Sequence, residues 1–207
     1  MNEHHHIEMT REALSPEFDP ATLEQIIAAN LGQDALRYQI GHDHFHFDNN
    51  AFEAGYAYIQ TCRQNAIAAI QSGNPLLARA EFGRLTHTVQ DFYAHTNYVA
   101  LWRSLHPSAA PEQIDPLFDS CLTDPTLHSG RLYYPTEILY FIPPLREWAM
   151  KRLPADSHAH MNKDDQTRPD FAYARMAAIY RTRIEWQTLA ESLTDNEKAA
   201  LTGGLAS

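Results

Sequence analysis

The chain has 207 residues, with 26 Asp+Glu against 16 Lys+Arg and a formal net charge of −10. This acidity opposes binding to a polyanion such as DNA, so the composition gives no strong nucleic-acid signal. No stretch approaches the roughly 18 uninterrupted apolar residues of a membrane span. The length fits one domain with a sizeable core, which we expect to cover residues 1–207.

The N-terminal residues and the two cysteines bear on where the chain is found. Residues 1–6 lack the basic region, apolar stretch and cleavage site of a secretory signal. Taken literally, this predicts a cytoplasmic protein, although a processed chain would look the same and secretion by another route stays open. Cys62 and Cys121 exclude a disulfide framework, and two buried free thiols are favoured over a single bridge.

Apolar residues recur at helical spacing from the N-terminal third onward. Residues 21–31 predict a short helix that closes at Gly32, and residues 49–71 predict a longer one. Pro75 suits the first turn of a third helix, whose apolar stripe runs to Trp102. The second and third helices therefore read as an αα-hairpin.

The second half of the chain is more broken. Four prolines within residues 103–134 predict loops and short helical pieces there. A helix over residues 135–153 is interrupted by Pro143-Pro144, a long helix covers residues 171–193, and a last short helix ends at Gly203. No alternating strand pattern competes, so we predict an all-α, single-domain helical bundle.

One helical stretch carries the clearest chemical pattern. His87, Asp91 and His95 are spaced by four residues, so their side chains lie within about 80° of one another on one helix face. Imidazole and carboxylate groups are ligands for divalent ions such as zinc, and an aspartate can bridge two metals. The alternative interpretation is the polar face of a surface helix.

Further histidines cluster elsewhere in the sequence. The chain has twelve, about twice the number usual for its length, and histidine is the commonest metal ligand. Alternating histidines at 42, 44 and 46 would point one way if extended, and His160 with Asp164 repeats the four-residue spacing of His87 and Asp91. A multi-metal site buried in the bundle gives these clusters a common purpose.

The stretch from Ala78 to Asn97 also resembles a known family. Gly83 precedes a His-x-x-x-Asp-x-x-x-His-x-Asn helix, which resembles the HET-C signature. The segment is similar, more distantly, to the zinc-dependent phospholipase C family, whose superfamily includes fungal zinc nucleases. That family places five residues between the Asp and the next His, whereas three separate Asp91 from His95.

The resemblance implies one to three zinc ions and a ligand set. The implied ligands are Asp34, His46, His87 and Asp91 for one zinc, His6 with a bridging Asp91 for a second, and His95, His160 and Asp164 for a third. His158 competes with His160 for its role, and His42 or His44 with His46.

The resemblance also implies an activity. It implies a zinc-dependent phosphodiester hydrolase of the phospholipase C type, in which a metal-bridging water attacks phosphorus and Asp34 acts as ligand or general base. The expected partner is a phospholipid or another phosphodiester substrate, with transient contact to a membrane surface. The alternatives are a HET-C-like cell-death or membrane-acting protein with a structural or regulatory metal site, a single-strand nuclease, and a helical binding domain with incidental histidines.

Overall fold

The computed structural model describes residues 1–38 and 41–204, so residues 39–40 and 205–207 of the predicted domain lie outside the described part. The described residues contain twelve α-helices: α1 (Glu3–Leu14), α2 (Pro20–Leu31), α3 (Asp43–His46), α4 (Phe52–Gln71), α5 (Pro75–His95), α6 (Tyr98–Leu105), α7 (Asp119–Leu122), α8 (Thr136–Tyr140), α9 (Arg146–Met150), α10 (His158–Met161), α11 (Phe171–Ala190) and α12 (Asp195–Thr202). Short 3-10 turns lie at Gly32–Asp34, Leu36–Tyr38, Asp48–Asn50, Pro111–Gln113 and Pro143–Leu145.

Helix α5 is the central element of the bundle. It begins at Pro75, where the side chain of Asn74 accepts a hydrogen bond from the Leu77 amide at 3.1 Å. Helices α2, α4 and α11 pack around it. From residue 81 to residue 95 every residue except Arg84 is buried, and apolar ones such as Phe82 join the main hydrophobic core. The helix therefore carries its polar residues into the interior of the molecule.

A glycine allows α2 and α5 to approach closely. A Cβ atom built on Gly83 would lie 2.4 Å from the carbonyl oxygen of Ile26 and 2.7 Å from the Cβ of Ala29. No side chain fits in that space, so the contact between the two backbones depends on the missing Cβ. This contact fixes the position of α5 along the axis of α2.

The all-α prediction is confirmed, since the described residues contain only two isolated β-bridges besides helices and turns. The predicted helices over residues 21–31, 49–71 and 171–193 are present with small shifts at their ends. The prediction of one continuous helix from residue 75 to residue 102 is wrong. It breaks after His95, because Asn97 pairs through its backbone and side chain with the backbone of Thr126 and His128.

The segment of residues 131–168 is built differently from the rest. It contains the short helices α8, α9 and α10, interrupted near Pro143 as predicted. Its own apolar cluster has only Ala149, Leu153 and Ala159 as buried members, while larger side chains such as Phe141 stay exposed. Within residues 1–38 and 41–204, no helix combines the length and apolar character needed to cross a bilayer.

Candidate metal centre

The centre is built around Asp91 on α5. His87, Asp91 and His95 lie on one face of this helix, as their spacing predicts, and all three side chains are buried. Both carboxylate oxygens of Asp91 lie close to histidine nitrogens: Oδ2 faces His46 and His87, and Oδ1 faces His6. Asp91 is therefore shared by the groups on its two sides.

The first cluster brings together Asp34, His46, His87 and Asp91. Nδ1 of His46 and Nε2 of His87 lie 2.9 Å and 3.0 Å from Oδ2 of Asp91, and 3.2 Å from each other. Oδ1 of Asp34 lies 3.7 Å from Nε2 of His87 and 4.0 Å from Nδ1 of His46. Four donor atoms from three segments of the chain thus surround one point.

Local backbone geometry brings His46 and Asp34 to this cluster. The histidines at 42–46 are not extended, because residues 43–46 form α3, which ends at Phe47 in the left-handed region with φ 56°. The ring of Phe47 is fully buried and packs where a Cβ on Gly55 would lie, 2.6 Å away. This packing holds the turn that directs His46 to one cluster and Asp48 to the other.

The second cluster contains Asp48, His95 and His158, with Asp164 beside it. Nδ1 of His158 lies 2.8 Å from Oδ1 of Asp48, and Nδ1 of His95 lies 2.9 Å from the carbonyl oxygen of His46. Both Nδ1 atoms therefore donate, so each Nε2 is the ring nitrogen left to bind a cation once it carries no proton. Those Nε2 atoms face the Asp164 carboxylate at 3.2 Å from His95 and 3.8 Å from His158.

His158 reaches the centre because several polar contacts hold its turn. The side chain of Ser157 caps α10, and Oε1 of the buried Glu137 accepts from the Ala159 amide at 2.7 Å. A Cβ on Gly130 would lie 2.6 Å from the Cα of His158, so only glycine permits this approach. Lys163 donates to the carbonyls of residues 94 and 96 and so docks Asp164 beside the end of α5.

His160 is not brought to the centre. Its Nε2 bonds the carbonyl of Met150 at 2.9 Å and its side chain is exposed. The predicted helical pairing of His160 with Asp164 is absent because α10 ends at Met161, where the Asn162 side chain bonds the carbonyls of residues 158 and 159. His158 takes the place proposed for His160, and His46 rather than His42 or His44 lies in the first cluster.

His6 approaches Asp91 from α1. The side chain is fully buried, and its ring stacks on that of His87 with centroids 4.4 Å apart. Nε2 lies 3.3 Å from Oδ1 of Asp91 but has no hydrogen-bond partner among the described residues. The amino group of Met1 lies 2.7 Å from the same oxygen.

Burial and neighbouring charges shift the pKa values of these groups. Burial lowers the pKa of His87 to about 4, so its imidazole is neutral near pH 7. Burial alone would raise the pKa of Asp91, but the Met1 ammonium and the surrounding histidines outweigh it and hold that pKa well below its usual range. For His158, burial opposes the charged form, but Asp48 raises its pKa to about 9.

The donor set and spacing fit zinc. A tetrahedral zinc ion with ligand bonds of about 2.0–2.1 Å separates its donors by about 3.3 Å. The donor distances of the first cluster that involve a histidine lie between 2.9 Å and 4.0 Å and bracket that value. Nitrogen and carboxylate oxygen are the ligands expected of a borderline ion. The residues present therefore fit a zinc-class divalent cation.

The centre opens on one side to a cavity of about 480 Å³. Asp34, His46 and His158 are among the groups that line its floor, and Tyr134 and Phe141 are among the apolar side chains of its wall. Both clusters are thus reachable from outside through one opening. The wall residues Leu132, Tyr134, Ile138 and Phe141 come from the 131–168 segment.

Two residues that contact the proposed ligands were not predicted from the sequence. Asp48 lies two residues after the predicted ligand His46, and its contact with His158 could not be seen without the fold. Gln90 sits inside the His87–His95 helix, and its amide contacts His6 at 2.6 Å. The only available signal was position, since both adjoin predicted ligands in sequence.

Comparison with known proteins places the chain differently from the resemblance found in the sequence. Residues 3–109, slightly more than half of the chain, match the family model of the VWA7 N-terminal domain. Von Willebrand factor A domain-containing protein 7 of Rattus norvegicus is 32% identical over 88 residues, which is 42% of this chain and 10% of that protein. The Homo sapiens protein of the same name is 32% identical over 81 residues, 39% of this chain and 9% of that protein.

These relatives are much longer than the matched stretch, which spans about a tenth of their length. No solved structure matches the chain. The match to the VWA7 N-terminal domain overturns the membership inferred from the HET-C and phospholipase C resemblance. One helix with potential ligands at four-residue spacing was too little sequence to identify the family.

The activities inferred from that resemblance are wrong as well. A zinc phosphodiester hydrolase of the phospholipase C type, a HET-C-like cell-death or membrane-acting protein and a single-strand nuclease all rested on a family to which the match does not lead. The geometry of the centre stands independently of that inference, because it follows from the positions of the residues themselves.

Proposed function

The chain belongs to the VWA7 N-terminal domain family, and we propose that it binds zinc-class divalent cations at the centre around Asp91. The observation that carries this proposal is the convergence of Asp34, His46, His87 and Asp91 on one point. His87 and Asp91 are fully buried, and His46 nearly so. Burying such groups together is costly unless a counter-charge satisfies them.

The first position is held by the carboxylates of Asp34 and Asp91 and the imidazoles of His46 and His87. Their arrangement supplies four donors, the number that zinc takes most often in proteins. His87 suits this role because its imidazole is neutral near pH 7, with a pKa lowered to about 4 by burial. A proton therefore does not compete with the cation at Nε2.

The second position is held by Nε2 of His95, Nε2 of His158 and the carboxylate of Asp164. Asp48 is the outer partner here, since it accepts from Nδ1 of His158 at 2.8 Å and so directs Nε2 inward. A carboxylate behind a ligating histidine fixes its tautomer and raises its basicity. The carbonyl of His46 does the same for His95 at 2.9 Å.

Cations also explain the accumulation of acidic groups in a small volume. Asp34, Asp48, Asp91 and Asp164 meet within the two clusters, and like charges at such distances repel. The Met1 ammonium and the protonated His158 offset part of this negative charge, and two divalent ions, with four positive charges, would offset the rest. The cavity beside the centre leaves both positions open to exchange with solvent or with a ligand.

Metal analysis of the purified chain tests the proposal. After dialysis, we expect elemental mass spectrometry to find at least one zinc per chain. A calorimetric titration of the metal-free protein with zinc should show saturable binding. His87→Ala removes a ligand and should weaken binding more than the roughly 100-fold typical of losing an outer partner. Fewer than one bound zinc in the unaltered chain would refute the proposal.

A matched pair of histidines tests the second position. His158→Ala should lower the zinc stoichiometry or weaken the second binding event, because its Nε2 faces Asp164. His160→Ala should leave zinc binding unchanged, because that ring bonds the Met150 carbonyl outside the centre. Equal losses in both variants would argue against the assigned ligand set.

A further inference from the structure

Gln90 lies at the junction of four helices, next to Asp91 but pointing away from the metal centre. Its carboxamide is fully buried and contacts His6 on α1, Asn30 on α2 and Thr182 on α11. Within an apolar bundle, a buried amide of this kind is retained only if every one of its donors and acceptors is matched. The hydrogen-bond partners therefore determine which way the amide of Gln90 points.

The orientation of the Gln90 amide follows from its neighbours. The hydroxyl of Thr182 donates to the Ala178 carbonyl at 2.8 Å, so its lone pairs are left to accept. They accept from Nε2 of Gln90 at 3.3 Å, and the hydroxyl of Thr10 accepts from the same nitrogen at 3.0 Å. The nitrogen of the amide therefore faces the threonines, and Oε1 must face His6.

The oxygen side is equally well matched. Oε1 of Gln90 accepts from Nδ2 of Asn30 at 3.2 Å and lies 2.6 Å from Nδ1 of His6. Because Oε1 can only accept, the proton of His6 must sit on Nδ1. In the neutral ring, Nε2 of His6 then carries a free lone pair, and it lies 3.3 Å from Oδ1 of Asp91 with no hydrogen-bond partner among the described residues.

A bare imidazole nitrogen beside a carboxylate oxygen is repulsive unless a cation lies between them. We propose that Gln90 is a positioning residue, which holds His6 in the Nδ1–H tautomer so that Nε2 is free to coordinate a cation shared with Oδ1 of Asp91. This inference rests on the proposed metal binding for the role of Nε2. The tautomer itself is a property of the metal-free chain.

The first measurement is the protonation pattern of the His6 ring in the metal-free chain. Ring-nitrogen NMR shifts, assigned by the signal that disappears in His6→Ala, should show Nδ1–H in the unaltered chain. Gln90→Met removes the acceptor, and Asp91 then attracts the proton, so the ring should convert to Nε2–H. Gln90→Glu keeps an acceptor at this position and should restore Nδ1–H.

The second measurement is zinc affinity. Gln90→Met should weaken zinc binding by about 10- to 100-fold, the usual loss for an outer partner of a ligating histidine. His6→Ala should weaken binding at least as much, and the double variant should show no further loss, because both changes remove one interaction. Thr88→Val is the matched control, since among the described residues the hydroxyl of this buried residue of α5 makes one hydrogen bond, to the Arg84 carbonyl at 3.4 Å.

The outcomes separate the two proposals. Persistence of Nδ1–H in Gln90→Met, or unchanged zinc affinity in that variant, would overturn the role of Gln90. A loss in Thr88→Val as large as that in Gln90→Met would assign the effect to general packing and overturn it too. Absence of zinc binding by the unaltered chain would instead overturn the metal centre, while the NMR result still decides whether Gln90 sets the tautomer.

Discussion

Helix α5 and the 131–168 segment both supply groups to the candidate metal centre, but they are held in place by different forces. Helix α5 is enclosed by α2, α4 and α11 and buries nearly every side chain between residues 81 and 95. The 131–168 segment has a small apolar cluster of its own and leaves Tyr134, Ile138 and Phe141 exposed.

The difference separates the centre into two halves. His87 and Asp91 are fixed by the hydrophobic core, whose packing leaves their helix one position. His158 and Asp164 are fixed by polar contacts, among them the bond from Nδ1 of His158 to Asp48 and those from Lys163 to the end of α5. Stability and site geometry should therefore be coupled in the first half and separable in the second.

The largest expected effect comes from truncating one apolar side chain in each region. Phe82→Ala on α5 should lower the free energy of unfolding by about 3–5 kcal/mol, because it removes a fully buried ring and leaves a cavity. Ile138→Ala on α8 should change it by less than about 0.5 kcal/mol, because that side chain is exposed. Urea unfolding of both variants checks this, and similar losses would contradict the comparison.

A pair of glycines tests how tightly α5 is held. Gly83→Ala should lower the free energy of unfolding by about 1–3 kcal/mol, because the new Cβ would lie 2.4 Å from the Ile26 carbonyl oxygen. Gly32→Ala has no atom within 4 Å of its new Cβ and a right-handed backbone. It should be neutral or slightly stabilising. Equal destabilisation by thermal unfolding would show that the α2–α5 contact is not the cause.

The smallest expected effect concerns the polar attachment of the 131–168 segment, measured on the metal-free chain. Asp48 raises the folded-state pKa of His158 to about 9, above the unfolded value of about 6.5. The stabilisation is therefore fully present below pH 6.5 and is lost as pH rises through 9. We expect a decline on the order of 1 kcal/mol between pH 6.5 and pH 8.

The control for this pH dependence is His158→Gln, which has no titrating group at the position. Urea unfolding at several pH values should give a flatter profile between pH 6.5 and pH 9 in this variant than in the unaltered chain. An unchanged slope would mean that other groups produce the pH dependence, and that the contact of His158 with Asp48 does not secure the segment.

Local sequence predicted the elements whose pattern repeats within a single helix. The apolar spacing of α2, α4 and α11 was sufficient, because each helix buries one face and the period of the α-helix is fixed. It failed at Asn97, where hydrogen bonds to residues 126 and 128 end α5. The residues next to Asn97 in sequence do not indicate that its hydrogen-bond partners lie about 30 positions away.

The same division applies to the site. The sequence by itself determined that His87, Asp91 and His95 share one helix face, because four-residue spacing leaves no other arrangement on an α-helix. Only the tertiary structure decided that His158 rather than His160 joins them, that Asp48 stands behind it, and that Gln90 contacts the ring of His6. Those choices depend on where separate segments meet, and contacts between distant segments are set by the packing of the whole bundle.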